Sequence, residues 1–152
     1  STPNKGFTVV LANEALVREV FPILAALEAV AVRLSGEAVV KAAPELAALN
    51  QELLSARSKP KQYGLDSAFH RRLTASCGNA RLLKLLAVHR DMARRFDGAH
   101  ARGTADQAGS CREHAEIVAV IEKGRLDKAA DLLIAHWRRG EDVVIAWLKE
   151  RP

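Results

Sequence analysis

Apolar residues recur at three- and four-residue spacing through nearly the whole chain, and that period leaves little room for a sheet. In "LDKAADLLIAHWRRGEDVVIAWLKE" it puts Leu132, Leu133, His136, Val143 and Trp147 on one face, opposite Asp131, Arg138 and Lys149. In "SCREHAEIVAVIEKG" it groups Ser110, Cys111, His114, Ile117, Val118 and Ile121 against Arg112, Glu116 and Lys123. Upstream, Asn13 is placed to cap "EALVREVFPILAALEAVAVRLSG", which Gly36 closes, and Pro22 predicts a kink or a separate first turn. "EAVVKAAPELAALNQELLSAR" follows, with Pro44 opening a renewed helix. "SKPKQYG" reads as a loop or loose helical start, leading to a helix that ends near Cys77 at a Gly78-Asn79 break. "ARLLKLLAVHRDMARRFDGAHAR" is helical again, and "GTADQAG" is the most loop-like stretch. Only "KGFTVV" has strand character, and no later segment offers it a partner. The expected fold is all-α: an antiparallel bundle of about six helices with a short N-terminal strand stub.

A chain of 152 residues, 49% of them hydrophobic, is one domain with a real core. With 5% aromatics, that core is built from Leu, Ala, Val and Ile, which suits closely packed helices. The net charge of +5 is spread among acidic residues with no long basic block, so nucleic-acid binding by this chain itself is a weak reading. Two cysteines make no disulfide framework and fit a reducing compartment. No apolar run reaches the ~20 residues of a membrane span, and "STPNKGFTVV" lacks the form of a signal peptide. A soluble, cytoplasmic protein is expected.

Polar residues interrupt the apolar stripes. Asp66, Phe69, His70, Leu73 and Cys77 share one stripe of their helix, so an aspartate and an imidazole one turn apart face inward. His114 and His136 do the same on two other helices. A buried charge without a partner costs several kcal/mol and an unsatisfied imidazole about 1–3 kcal/mol, so four such groups on converging faces call for one another or for a common ion. Three neutral imidazoles and one carboxylate suit a divalent metal, with zinc, nickel, manganese and iron all candidates. Against this stand an ion pair between Asp66 and His70, and a metal-free polar network. His89, set among Leu82, Leu85, Leu86, Met92 and Phe96, and Cys111, one turn before His114, remain rival ligands on periodicity. His100, near a polar helix end, reads as exposed.

The ordered set "ALEAVAVRLSG", "DSAFHRRLTASCGNARLLKLL" and "EHAEIVAVIEKGRLDKAADLLIAHW" resembles the FCD domain, the all-helical effector-binding module of GntR-type transcription regulators. The resemblance spans roughly residues 11 to 150. It implies Asp66, His70, His114 and His136 as metal ligands, in preference to His89 and Cys111, with zinc the foremost metal. It further implies a small organic acid effector, a homodimer, and no enzymatic activity. Residues 1–10 then read as linker and remnant of a winged helix-turn-helix, and 11–152 as the ligand-binding and dimerisation domain, DNA being reached only through the missing N-terminal part. Many relatives carry an effector-holding arginine where this chain has Leu24. Arg90 and Arg94, one turn apart beside their helix's apolar stripe, are the alternative cationic donors. The competing reading is a small helical metalloenzyme that activates water or oxygen at the same ion.

Overall fold

A computed structural model describes residues 13–96 and 104–150, the side chains of 104–106 excepted. Seven α-helices account for nearly all of them: α1 (Glu14–Ser35), α2 (Glu37–Lys41), α3 (Ala43–Ser55), α4 (Lys59–Thr74), α5 (Ala80–Ala93), α6 (Thr104–Glu122) and α7 (Leu126–Lys149). A single 3₁₀ turn, Arg94–Phe96, extends α5. The all-α bundle is as expected, and the described residues contain no strand. The strand stub and His100 lie outside the described residues.

Helix ends follow local chemistry. The Asn13 side chain accepts the Leu16 N–H at 2.9 Å and starts α1. The Gly78-Asn79 break is real: Gly78 takes φ 67°, a left-handed turn that a side chain would strain, and Asn79 then accepts the Leu82 N–H at 3.0 Å to start α5. Asn79→Ala is expected to cost about 1 kcal/mol, read as a lowered midpoint in thermal unfolding.

Two local expectations are narrowed and one is corrected. Helix α1 runs unbroken through Pro22, with no separate first turn. Pro22 lies on the exposed side, where water can satisfy the carbonyl group its ring displaces. "SKPKQYG" is ordered helix from Lys59, with Pro60 in the first turn. "GTADQAG" is likewise helical from Thr104. A side-chain clasp accounts for both: Gln62 Nε2 donates to the Ala56 carbonyl at 2.7 Å and to Gln107 Oε1 at 2.5 Å, while Gln107 Nε2 donates to the Leu53 carbonyl at 2.5 Å. Glutamines 45 positions apart override the weak local propensity.

Helices α1 and α7 form the most extensive pair, with α4, α5 and α6 closing around them. The core falls into two apolar clusters. One joins Val17, Phe21 and Leu24 of α1 to Leu82, Leu86, Phe96 and Val144. The other joins Val32 of α1 to Leu46, Phe69, Leu73, Ile117 and Leu133. Between Leu24 and Val32, on the same face of α1, sits Glu28, fully buried. The seam between the two clusters is therefore polar, and the candidate site lies in it.

Candidate metal and effector site

Three helices deliver one imidazole each to the seam: His70 from α4, His114 from α6 and His136 from α7, all buried. One ring nitrogen from each lies within 4.8 Å of the others. The His114 ring stacks on Phe69 at 3.9 Å between centroids, so packing fixes its plane. The Asp66 carboxylate reaches in from the solvent side: its Oδ1 lies 3.7 Å from His114 Nε2, and its side chain stays 44% exposed. The structure thus gathers three of the four sequence-predicted ligands into one cluster and places the fourth at its open edge.

Two of the rings are held from behind by carboxylates. His70 Nδ1 lies 2.8 Å from Glu28 Oε2, and His136 Nδ1 lies 2.6 Å from Glu113 Oε2. Each carboxylate has a guanidinium of its own: Arg90 Nη2 bonds Glu28 Oε1 at 2.6 Å, and Arg139 pairs with Glu113. Trp137 Nε1 donates to Glu28 Oε2 at 2.9 Å. Imidazoles that ligate metals are characteristically braced this way, the outer partner taking one ring nitrogen and leaving the other for the ion. His114 differs. Fully buried, it has no hydrogen-bond partner at either ring nitrogen. An unmatched buried imidazole costs about 1–3 kcal/mol, and a metal bond removes that cost.

The electrostatics sort these groups. Burial, with the neighbouring His136 and His70, holds His114 well below the usual imidazole range, so it is neutral and able to ligate. Burial alone would lower His70 as well, but the Glu28 charge outweighs it and raises the group. Burial opposes the ionised form of Glu28, yet His70 and Arg90 bring it down to about 2. Cys111 is pushed up to about 11 by burial and by Asp66, so it stays a thiol and packs as a small apolar group. His89 is turned away: its Nδ1 faces the Leu85 carbonyl of its own helix at 2.8 Å.

Beside the cluster opens a cavity of about 360 Å³. His70, His136 and Asp66 line its inner wall, Phe21, Tyr63 and Trp137 supply aromatic surface, and Lys59, Arg71, Arg90, Arg94 and Arg139 supply cations. Among the described residues, Asp66 is the sole carboxylate in the lining. Arg90 and Arg94 both reach the cavity but differ in kind. Arg90 is largely buried and also donates to the His70 carbonyl at 2.9 Å and to Thr74 Oγ1 at 3.0 Å. Arg94 is 60% exposed and pairs only loosely with Asp91, at 3.7 Å. Leu24 is fully buried in the apolar core and takes no part in the lining.

Two site residues escape the periodicity argument as applied to the histidines. Glu28 carries the same signal, a charge one turn from both Leu24 and Val32 on an apolar stripe. Glu113 carries no such signal, because its role comes from His136, 23 positions later on another helix.

Three imidazoles thus converge beside a cation-lined cavity in a helical bundle. The family model for the FCD domain matches residues 19–139. The chain belongs to that family, the C-terminal effector-binding domain of GntR-family regulators. No curated protein and no solved structure matches it. Among the described residues, no helix is long and apolar enough to cross a membrane.

Proposed function

We propose that the chain is the effector-sensing, metal-binding and dimerisation domain of a GntR-type transcription regulator. It takes a small organic acid at or near a divalent metal and thereby controls DNA binding by a winged helix-turn-helix domain outside this sequence. Residues 11–152 are assigned to this domain and 1–10 to linker and remnant, in a protein of the cytoplasm. The carrying observation is His114, a buried imidazole with both nitrogens unmatched at the meeting point of His70 and His136. Those three residues and Asp66 would hold the ion, zinc foremost. The ion would supply a Lewis-acid anchor for a carboxylate oxygen.

The rest is the work of the chain's own side chains. Neutral His114 offers a lone pair directly, while His70 and His136 turn Nδ1 to a carboxylate and so leave Nε2 for the ion. The cavity's cations attract an acid of matching size; Arg94 is the more open of the two arginines on α5, since Nε and Nη2 of Arg90 are engaged by Glu28, His70 and Thr74. The aromatic wall excludes water from the acid's carbon skeleton. An effector shifts the regulator only if it binds one arrangement of the protein more tightly than another.

Metal content of gently purified protein, followed by calorimetry with a panel of small carboxylic acids with and without chelator, tests this reading. Stoichiometric metal, and acid binding that disappears with the chelator and leaves the acid chemically unchanged, is the expected result. Conversion of the acid would favour the metalloenzyme alternative.

Homodimer formation is assigned to α1. Its core-facing side is apolar apart from Glu28 and Ser35, and its outer side is largely apolar too: Ile23, Val30 and Leu34 are 41%, 45% and 52% exposed, and only Arg33 interrupts them between Pro22 and Leu34. With half-buried Leu27 they follow the 4-3-4 spacing of a coiled-coil seam, which reads the same in both directions and suits a twofold antiparallel pairing. An exposed apolar stripe of this kind marks a contact surface. The double variant Val30→Glu/Leu34→Glu is expected to turn a dimer into a folded monomer in light scattering, with helical content unchanged by circular dichroism.

A further inference from the structure

Glu28 is hydrogen-bonded by side chains from three other helices. Its carboxylate is fully buried, and both oxygens are engaged. Oε1 faces Arg90, at 2.6 Å from Nη2 and 3.2 Å from Nε. Oε2 faces His70 Nδ1 at 2.8 Å and Trp137 Nε1 at 2.9 Å. An ionised carboxylate only accepts, so the nitrogen of His70 that faces it must carry the proton. A neutral His70 ring is thereby left with its lone pair on Nε2, the atom on the far side of the ring from Glu28.

We propose that Glu28 is the positioning residue of the metal site, holding His70 in the one tautomer and ring orientation that presents Nε2 to the ion. The inference rests on the metal-site reading above and adds to it a residue from a helix that supplies no ligand. Arg90 completes the device. One guanidinium grips the Glu28 carboxylate, the His70 carbonyl and the Thr74 hydroxyl, so the ring and the backbone of the same ligand are clamped from one point. The other two imidazoles lack such a clamp. His136 is braced by Glu113, which is partly exposed, and His114 stacks on Phe69 with no hydrogen bond at either ring nitrogen.

Glu28→Gln separates this role from bulk and packing. The amide keeps the shape of the carboxylate but must turn its NH₂ toward either Arg90 or the His70 and Trp137 nitrogens. Facing His70, it donates to Nδ1, forces the proton to Nε2 and blocks the ligating lone pair. The test measures zinc affinity by competition with a chromophoric chelator, on the whole chain. E28Q is expected to bind zinc 10- to 100-fold more weakly than the unsubstituted protein, the loss usual for an outer partner of a metal-bound histidine. A second measurement does not require the variant to fold: unsubstituted protein loaded with ¹¹³Cd should show scalar coupling from the metal to His70 Nε2. Coupling to Nδ1, or zinc binding by E28Q as tight as in the unsubstituted chain, overturns the assignment of Glu28 and leaves the metal site standing. Failure of the unsubstituted protein to take up either metal overturns both.

Discussion

His136→Ala is expected to leave a folded bundle that no longer retains metal through dialysis against a weak chelator. Four protein ligands share roughly 10–16 kcal/mol in structural zinc sites, so one ligand carries on the order of 3 kcal/mol, or about 100-fold in affinity. The fold should tolerate the change. Alanine is the best helix former, and the position lies in the polar seam rather than inside either apolar cluster. Thermal stabilisation by the acid effector should fall with the metal, because the acid loses its anchor. His89→Ala is the matched control. Its ring faces a carbonyl of its own helix, outside the imidazole cluster, and full metal content is expected to persist. Metal content by mass spectrometry checks both. A full complement in His136→Ala would remove that residue from the ligand set.

The reach of the sequence is uneven, for physical reasons. Helices with a sustained 3.6-residue period are legible because one apolar stripe must be buried, and α1, α5, α6 and α7 follow it. Starts that depend on distant partners are not. No local signal tells that Gln62 and Gln107 will lock the openings of α4 and α6 together, so the first stretch reads as a loop or loose helical start and the second as a loop. The same distinction divides the site. His70, His114 and His136 stand out because an imidazole in the middle of an apolar stripe is costly unless matched. Glu28 obeys that rule equally, and the Leu24–Glu28–Val32 spacing makes it readable once charges on every stripe are weighed alike. Arg90 does not obey it. It sits beside its stripe, where surface charge is the ordinary reading, and its partner lies 62 positions earlier on α1. Only the packing of α5 against α1 turns it inward.

That packing gives Arg90→Met the largest expected effect on stability. Methionine keeps the helix and most of the side-chain volume but leaves the buried Glu28 carboxylate without its guanidinium. Removing one partner of a buried ion pair costs roughly 3–5 kcal/mol, because the remaining charge stays desolvated. Since Arg90 is 15% exposed and His70 and Trp137 still bond Glu28, about 3 kcal/mol is expected, or roughly 6–12 °C in the unfolding midpoint. Arg94→Met, one turn on and 60% exposed, should change stability by less than about 0.5 kcal/mol. Acid supplies a sharper test than magnitude alone. Glu28 is lowered from 4.5 to about 2 in the folded chain, so its contribution is complete above pH 4.5 and is lost as pH falls toward 2. Without Arg90 the carboxyl takes up its proton at higher pH, and a neutral carboxyl no longer needs the guanidinium. The deficit of Arg90→Met against the unsubstituted protein should therefore be largest near neutrality and shrink as pH falls from 4.5 toward 2, as read by urea unfolding across that range. A deficit that stays constant with pH would mean that Arg90 stabilises the bundle by packing its aliphatic stem, with no part in keeping Glu28 ionised.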